Sequence, residues 1–120
     1  MCFFVKSIYK ELTANRDITC YKILEVVDWD SGMLLSPYCH HVYFLGELNR
    51  LNEKLRVSYL GGVKVINEGF HSYCEYFSYP HLKNLLNVPI FKCTIPKGAK
   101  YYKNSMEYVS DAIIINKRIN

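Results

Sequence analysis

Three short stretches of this chain carry side chains suited to chemistry. The sharpest is Gly69-Phe70-His71-Ser72-Tyr73. A glycine after a strand lets the backbone turn or approach a ligand closely. A histidine there can donate to a phosphate or a ribose hydroxyl, or act as acid or base. Ser72 and Tyr73 add hydroxyls. The plainer reading is a core histidine that pins a strand end through a ring nitrogen. The second stretch, Pro96-Lys97-Gly98-Ala99-Lys100-Tyr101-Tyr102, combines cations with adjacent aromatics. Lysine meets phosphate as a point charge, and a tyrosine face stacks on a base for roughly 1–3 kcal/mol in single-strand binders. A tight turn with exposed lysines has the same composition. The third, Cys39-His40-His41, invites a metal. Zinc needs three or four convergent ligands, adjacent residues of a strand point in opposite directions, and no partner cluster has suitable spacing. No metal or cofactor is expected.

Other candidates are weaker. Asp28 and Asp30 sit in a turn that they are placed to cap, and Glu107 reads as a solvated turn residue more readily than as a catalytic carboxylate. Gly61-Gly62 lacks the downstream glycine, lysine and helix of a phosphate loop. No motif surrounds any cysteine.

The elements that must position these residues fit one domain over 1–120, with 1–17 an N-terminal helix or arm and 18–116 the core. Apolar Phe4, Ile8 and Leu12 have the spacing of a short helix, followed by a polar turn over 13–17. Ile18 to Val27 reads as one strand. The turn Asp28-Trp29-Asp30-Ser31-Gly32 leads into Met33-Leu34-Leu35, and Ser36-Pro37-Tyr38 breaks regular structure. Val42 to Leu45 is a short strand. Leu48, Leu51 and Leu55 have helical spacing, whereas Val57 to Leu60 looks extended, and Gly61-Gly62 is a hairpin turn into Val63-Lys64-Val65-Ile66. The spacing predicts a helix over 78–87, with Ser78 as N-cap, Pro80 in its first turn and His81 facing solvent. Strands follow at 88–95, 100–102 and 109–115. The sum is an α+β fold: a mostly antiparallel sheet of about six or seven short strands with one or two helices.

Composition narrows the function classes. A net charge of +4 is mild, and no basic run exceeds two residues, which argues against a nucleic-acid polymer and permits an anionic small ligand. Tyrosine is the outlier, with 11 in 120 residues. It suits ligand pockets and interfaces, and it also favours strands. The five cysteines are an odd number without a CxxC pair, and Cys20, Cys74 and Cys93 lie in apolar stretches. They read as buried free thiols of a reducing cytoplasm. The apolar runs are too short to span a bilayer, and the N-terminus lacks the pattern of a signal peptide.

Several segments resemble a family of small proteins carried by bacteriophages of gut Bacteroides-type bacteria. They are Thr19-Cys20-Tyr21-Lys22-Ile23-Leu24, Ser36-Pro37-Tyr38, Tyr43-Phe44-Leu45-Gly46, Gly69-Phe70-His71-Ser72-Tyr73, Cys93 through Tyr102, and Tyr108-Val109-Ser110-Asp111. The resemblance covers about residues 18–116 and implies no catalytic assignment. It implies a protein of the host cytoplasm that acts on host defence. One such class, the sponge proteins, sequesters nucleotide-derived immune signals such as cyclic ADP-ribose isomers or cyclic dinucleotides, commonly as homo-oligomers. The expected ligand-binding residues are Tyr21, Lys22, Tyr38, Phe70, His71, Ser72, Tyr73 and Lys97. A more distant likeness to ADP-ribosyltransferase-type folds implies an enzyme alternative using His71, Tyr101 and Glu107. A protein-interaction module with tyrosines at its interface is the third reading.

Overall fold

The computed structural model describes residues 3–6, 10–36, 41–66, 68–75 and 89–119. Among them the chain is all-β, and the expected α+β class is overturned. In chain order the strands are β1 (Phe3–Lys6), β2 (Leu12–Thr13), β3 (Ile18–Ile23), β4 (Glu25–Asp28), β5 (Met33–Leu35), β6 (Val42–Phe44) and β7 (Leu48–Arg50). They continue as β8 (Val57–Leu60), β9 (Val63–Ile66), β10 (Phe70–Tyr73), β11 (Ile90–Ile95), β12 (Lys100–Lys103), β13 (Glu107–Ser110) and β14 (Ala112–Arg118).

Among the described residues the helical spacings at 4–12 and 48–55 give way to strands at Phe3–Lys6, Leu12–Thr13 and Leu48–Arg50, each with a partner. Phe3 to Lys6 pairs antiparallel with Ile66 to Val63, and Leu12 pairs with Tyr101. Leu48 pairs with Ile114, and the Leu51 amide donates to the Asp111 carbonyl at 2.8 Å. Three apolar residues at a helical period carry little weight against a ladder of backbone hydrogen bonds with a buried face. The helix expected over 78–87 lies outside the described residues, as do Tyr38, Cys39, His40 and His81. No described helix is long and apolar enough to cross a membrane.

The strands form an antiparallel eight-stranded sheet, β2-β12-β13-β10-β3-β11-β14-β7, and two three-stranded sheets, β1-β9-β8 and β4-β5-β6. The expected single strand from Ile18 to Val27 is two strands in two sheets. Leu24, fully buried, is the pivot, and its amide donates to the Pro89 carbonyl at 3.3 Å. The turns follow the sequence. Asp28 Oδ1 accepts the Asp30 amide at 3.1 Å, and Gly61, at φ 63°, opens the two-residue turn between the paired Leu60 and Val63.

Strand alternation divides the core into two layers. The larger cluster gathers Cys20, Phe70, Cys93 and Tyr108 of the main sheet with Leu34 and Tyr43 of the β4-β5-β6 sheet. The smaller gathers Tyr102 and Val109 of the main sheet with Leu55 and with Ile66 of the β1-β9-β8 sheet. Tyr108 and Val109 are neighbours in sequence and point into different clusters, so the two small sheets cover opposite faces of the main one.

Candidate functional site

The expected site residues separate at this division. In β10, Phe70 and Ser72 are buried, while His71 and Tyr73 are half-buried and point the other way. Tyr73 lies opposite both Tyr21 and Glu107, and His71 lies opposite Val109. His71, Tyr73, Tyr21 and Glu107 therefore share the face of the smaller cluster. Lys22, Phe70 and Ser72 share the face of the larger one. Tyr101 pairs with Ser110, one residue out of phase with Val109, so it stands on the face away from His71 and Glu107. Consecutive residues of a strand cannot converge on one ligand.

Lys22 is a strut inside the protein. It is buried, its ammonium donates to the His71 carbonyl, and it sits 5.3 Å from the centroid of the Tyr43 ring. The β3–β10 ladder holds a single residue pair, Tyr73 with Tyr21, and Lys22 bridges the two strands beside it. Tyr43, Phe70 and His41 pack edge to face around this position, with centroids 4.5–5.9 Å apart. Burial, reinforced by the Lys22 charge, pushes His71 down to about 4 and also lowers His41. His71 is thus neutral at physiological pH.

Gly69 serves packing. Its φ is 147°, and a Cβ there would overlap Val109 Cγ2 and lie 2.9 Å from Leu55 Cδ2. The close approach expected of this glycine is made to the core.

A concave feature of the described surface lies elsewhere. An open cleft of about 530 Å³ is lined by Asn15, Arg16, Asp17, Ile18, Thr19, Tyr101, Lys103 and Tyr108. Small-ligand pockets span roughly 300–1,000 Å³. The period of two sets Tyr101 and Lys103 on one face of β12, and Lys103 pairs with Tyr108 of β13. The Tyr101 and Tyr108 rings meet edge to face at 5.8 Å, and the Lys103 ammonium lies 5.5 Å from the Tyr108 centroid. Burial, with the Cys74 thiol beside it, pushes the Tyr108 phenol up to about 12, so it stays a neutral hydroxyl.

Backbone bonds hold the opposite wall. Ala14 donates to the Ala99 carbonyl at 2.9 Å, and Gly98 donates to the Ala14 carbonyl at 2.8 Å. Asp17 Oδ1 accepts the Lys97 amide at 2.9 Å. Lys97 thus contributes its backbone to the 14–17 wall, and its exposed side chain is not among the cleft-lining groups.

Sequence reasoning noted Tyr101 and read 13–17 only as a polar turn. It missed Arg16, Lys103 and Tyr108. The alternation of Tyr101 with Lys103 was a usable signal; for Arg16 there was none, since its neighbours across the cleft are distant in sequence. Among the described residues no three His, Cys, Asp or Glu side chains are placed to hold a metal ion. Comparison of the chain with protein-family models, curated proteins and solved structures finds no match.

Proposed function

We propose that this protein binds a small anionic, nucleotide-like ligand in the Arg16–Lys103 cleft without cleaving it. One observation carries the reading: two cations, Arg16 and Lys103, line the same open cleft as two tyrosines. Arginine meets a phosphate through a planar fork and lysine as a point charge, while a half-buried tyrosine offers an apolar face to a base. The carboxylate among the cleft-lining residues, Asp17, accepts the Lys97 amide, and His71, Tyr101 and Glu107 are divided between two faces of the sheet. Binding without turnover suits sequestration of a nucleotide-derived immune signal, the role that the resemblance to small phage proteins implies.

The test is a thermal-shift and calorimetry panel of ADP-ribose, cyclic ADP-ribose isomers and cyclic dinucleotides. A ligand at 100 times its dissociation constant stabilises by about 2.7 kcal/mol. Arg16→Ala and Lys103→Ala should each weaken binding about tenfold or more, with the ligand recovered intact on heating the complex. No shift across the panel, or equal affinity in both variants, removes the cleft reading. Fragments in place of intact ligand remove sequestration.

A second reading has its own observation. Tyr59 and Leu60, next to the Gly61 turn, are each 70% exposed. Large apolar side chains this exposed suit a protein interface. That reading expects a protein partner whose capture is lost in Tyr59→Ser/Leu60→Ser.

A further inference from the structure

Cys20 and Cys93 are directly opposed on the adjacent strands β3 and β11. Both are free thiols, both are fully buried, and both belong to the larger core cluster. Opposed residues of an antiparallel pair have Cα atoms about 4.5–5.5 Å apart, within the roughly 4.4–6.8 Å that a disulfide spans. No rearrangement of the sheet is needed to join them. We propose that Cys20 and Cys93 form a redox pair, closed into a disulfide within the main sheet by a hydroperoxide and reopened by a dithiol.

The surroundings assign the roles. The Cys93 side chain beside it lowers the Cys20 thiol against the opposing effect of burial, and the Lys22 charge lowers it further. Cys93 is held up by the adjacent Cys20 sulfur and by burial, and its Sγ donates to the Phe91 carbonyl at 3.5 Å. Cys20 and Lys22, two residues apart on β3, share its buried face; the thiolate is the nucleophile, so Cys20, beside this cation, attacks and Cys93 resolves. The Cys20 sulfur takes an oxygen from the hydroperoxide, whose O–O bond breaks. The peroxide's other oxygen leaves as water or an alcohol, and Cys20 becomes a sulfenic acid. The Cys93 sulfur then attacks that sulfur, the S–O bond breaks, and the hydroxide departs as water with the Cys93 thiol proton. Two thiols are oxidised and one hydroperoxide is reduced.

Among the described residues Cys74 is the competing partner. It is half-buried, near Tyr108 and Lys103, and burial holds its thiol up. The experiment treats the full chain with hydrogen peroxide, blocks remaining thiols with a maleimide under denaturing conditions, and maps the peptides by mass. The expected result is a product lighter by two hydrogens, with the Cys20 peptide joined to the Cys93 peptide and the bond reversed by dithiothreitol. In Cys93→Ala, dimedone should trap a sulfenic acid on Cys20. Recovery of both cysteines as maleimide adducts overturns the proposal, and so does a Cys20–Cys74 link. The wild-type mapping needs no variant, so it decides the matter even if Cys93→Ala does not fold.

Discussion

The Gly69–Tyr73 strand and the Arg16–Lys103 cleft belong to the same eight-stranded sheet and use their residues in opposite ways. The strand carries the residue types most suggestive of chemistry, and the fold spends them on its core. Gly69 admits Val109 and Leu55, Ser72 is buried, and the His71 carbonyl receives the Lys22 ammonium. The cleft is built from a polar turn and a short strand, each ordinary in sequence, yet two exposed cations and a half-buried tyrosine face solvent there. Suggestive composition and accessible geometry are separate properties. Alternation sends His71 and its neighbours Phe70 and Ser72 to opposite faces of the sheet, so the three do not face one ligand together.

The comparison is sharpest at Gly69. Gly69→Ala sets a Cβ into Val109 and Leu55 at a φ that side chains rarely adopt. Overpacking and backbone strain each cost about 1–3 kcal/mol, so a loss of about 4 kcal/mol is expected in urea denaturation. A loss below about 1 kcal/mol would mean that β10 is not locked against β13, and the contrast between core strand and open cleft would fail.

His71 supplies an intermediate effect. Its folded value of about 4 lies below the ordinary 6.5 because burial, then Lys22, disfavours the imidazolium. Between these values the unfolded chain binds more protons than the folded one, so stability rises with pH. The contribution is complete above about pH 6.5 and is lost as pH falls toward 4, on the order of 3 kcal/mol. Denaturation midpoints at a series of pH values should fall across this window in the wild type and less steeply in His71→Gln. Equal slopes would place His71 in solvent and reopen it as a ligand group.

The smallest effect belongs to the cleft wall. Asp17→Ala removes the acceptor of the Lys97 amide, and an exposed hydrogen bond of this kind is worth about 1 kcal/mol. Amide exchange at Lys97 and Gly98 should accelerate while exchange in β10 and β13 stays unchanged. Acceleration throughout the sheet would show the cleft wall to be part of the same cooperative unit as the core.

Much of the local structure was legible from residues that act on their own backbone. The turn Asp28–Gly32, the Gly61-Gly62 hairpin and the 96–99 turn depend on glycine's conformational freedom, proline's fixed φ and a carboxylate two residues from an amide, all contained in a few consecutive positions. The strands at Met33–Leu35, Val63–Ile66 and Lys100–Lys103 were marked by their flanking turns. Where a reading depended on partners far along the chain, it failed. Phe4, Ile8 and Leu12 have a helical period, but Ile66 to Val63 offers a strand to Phe3–Lys6, and only the folded chain supplies it.

The candidate site follows the same physics. By itself the sequence determined a tyrosine-rich and mildly cationic chain with these turns, because composition and turn chemistry are local. The tertiary structure decided that the described chain is all-β, which face of the main sheet His71 and Ser72 each take, that Arg16 and Lys103 line one cleft and that Cys20 opposes Cys93. Each of these is a matter of strand register between distant segments. Register is set by which faces can be buried together, and no single stretch of sequence contains both halves of that choice.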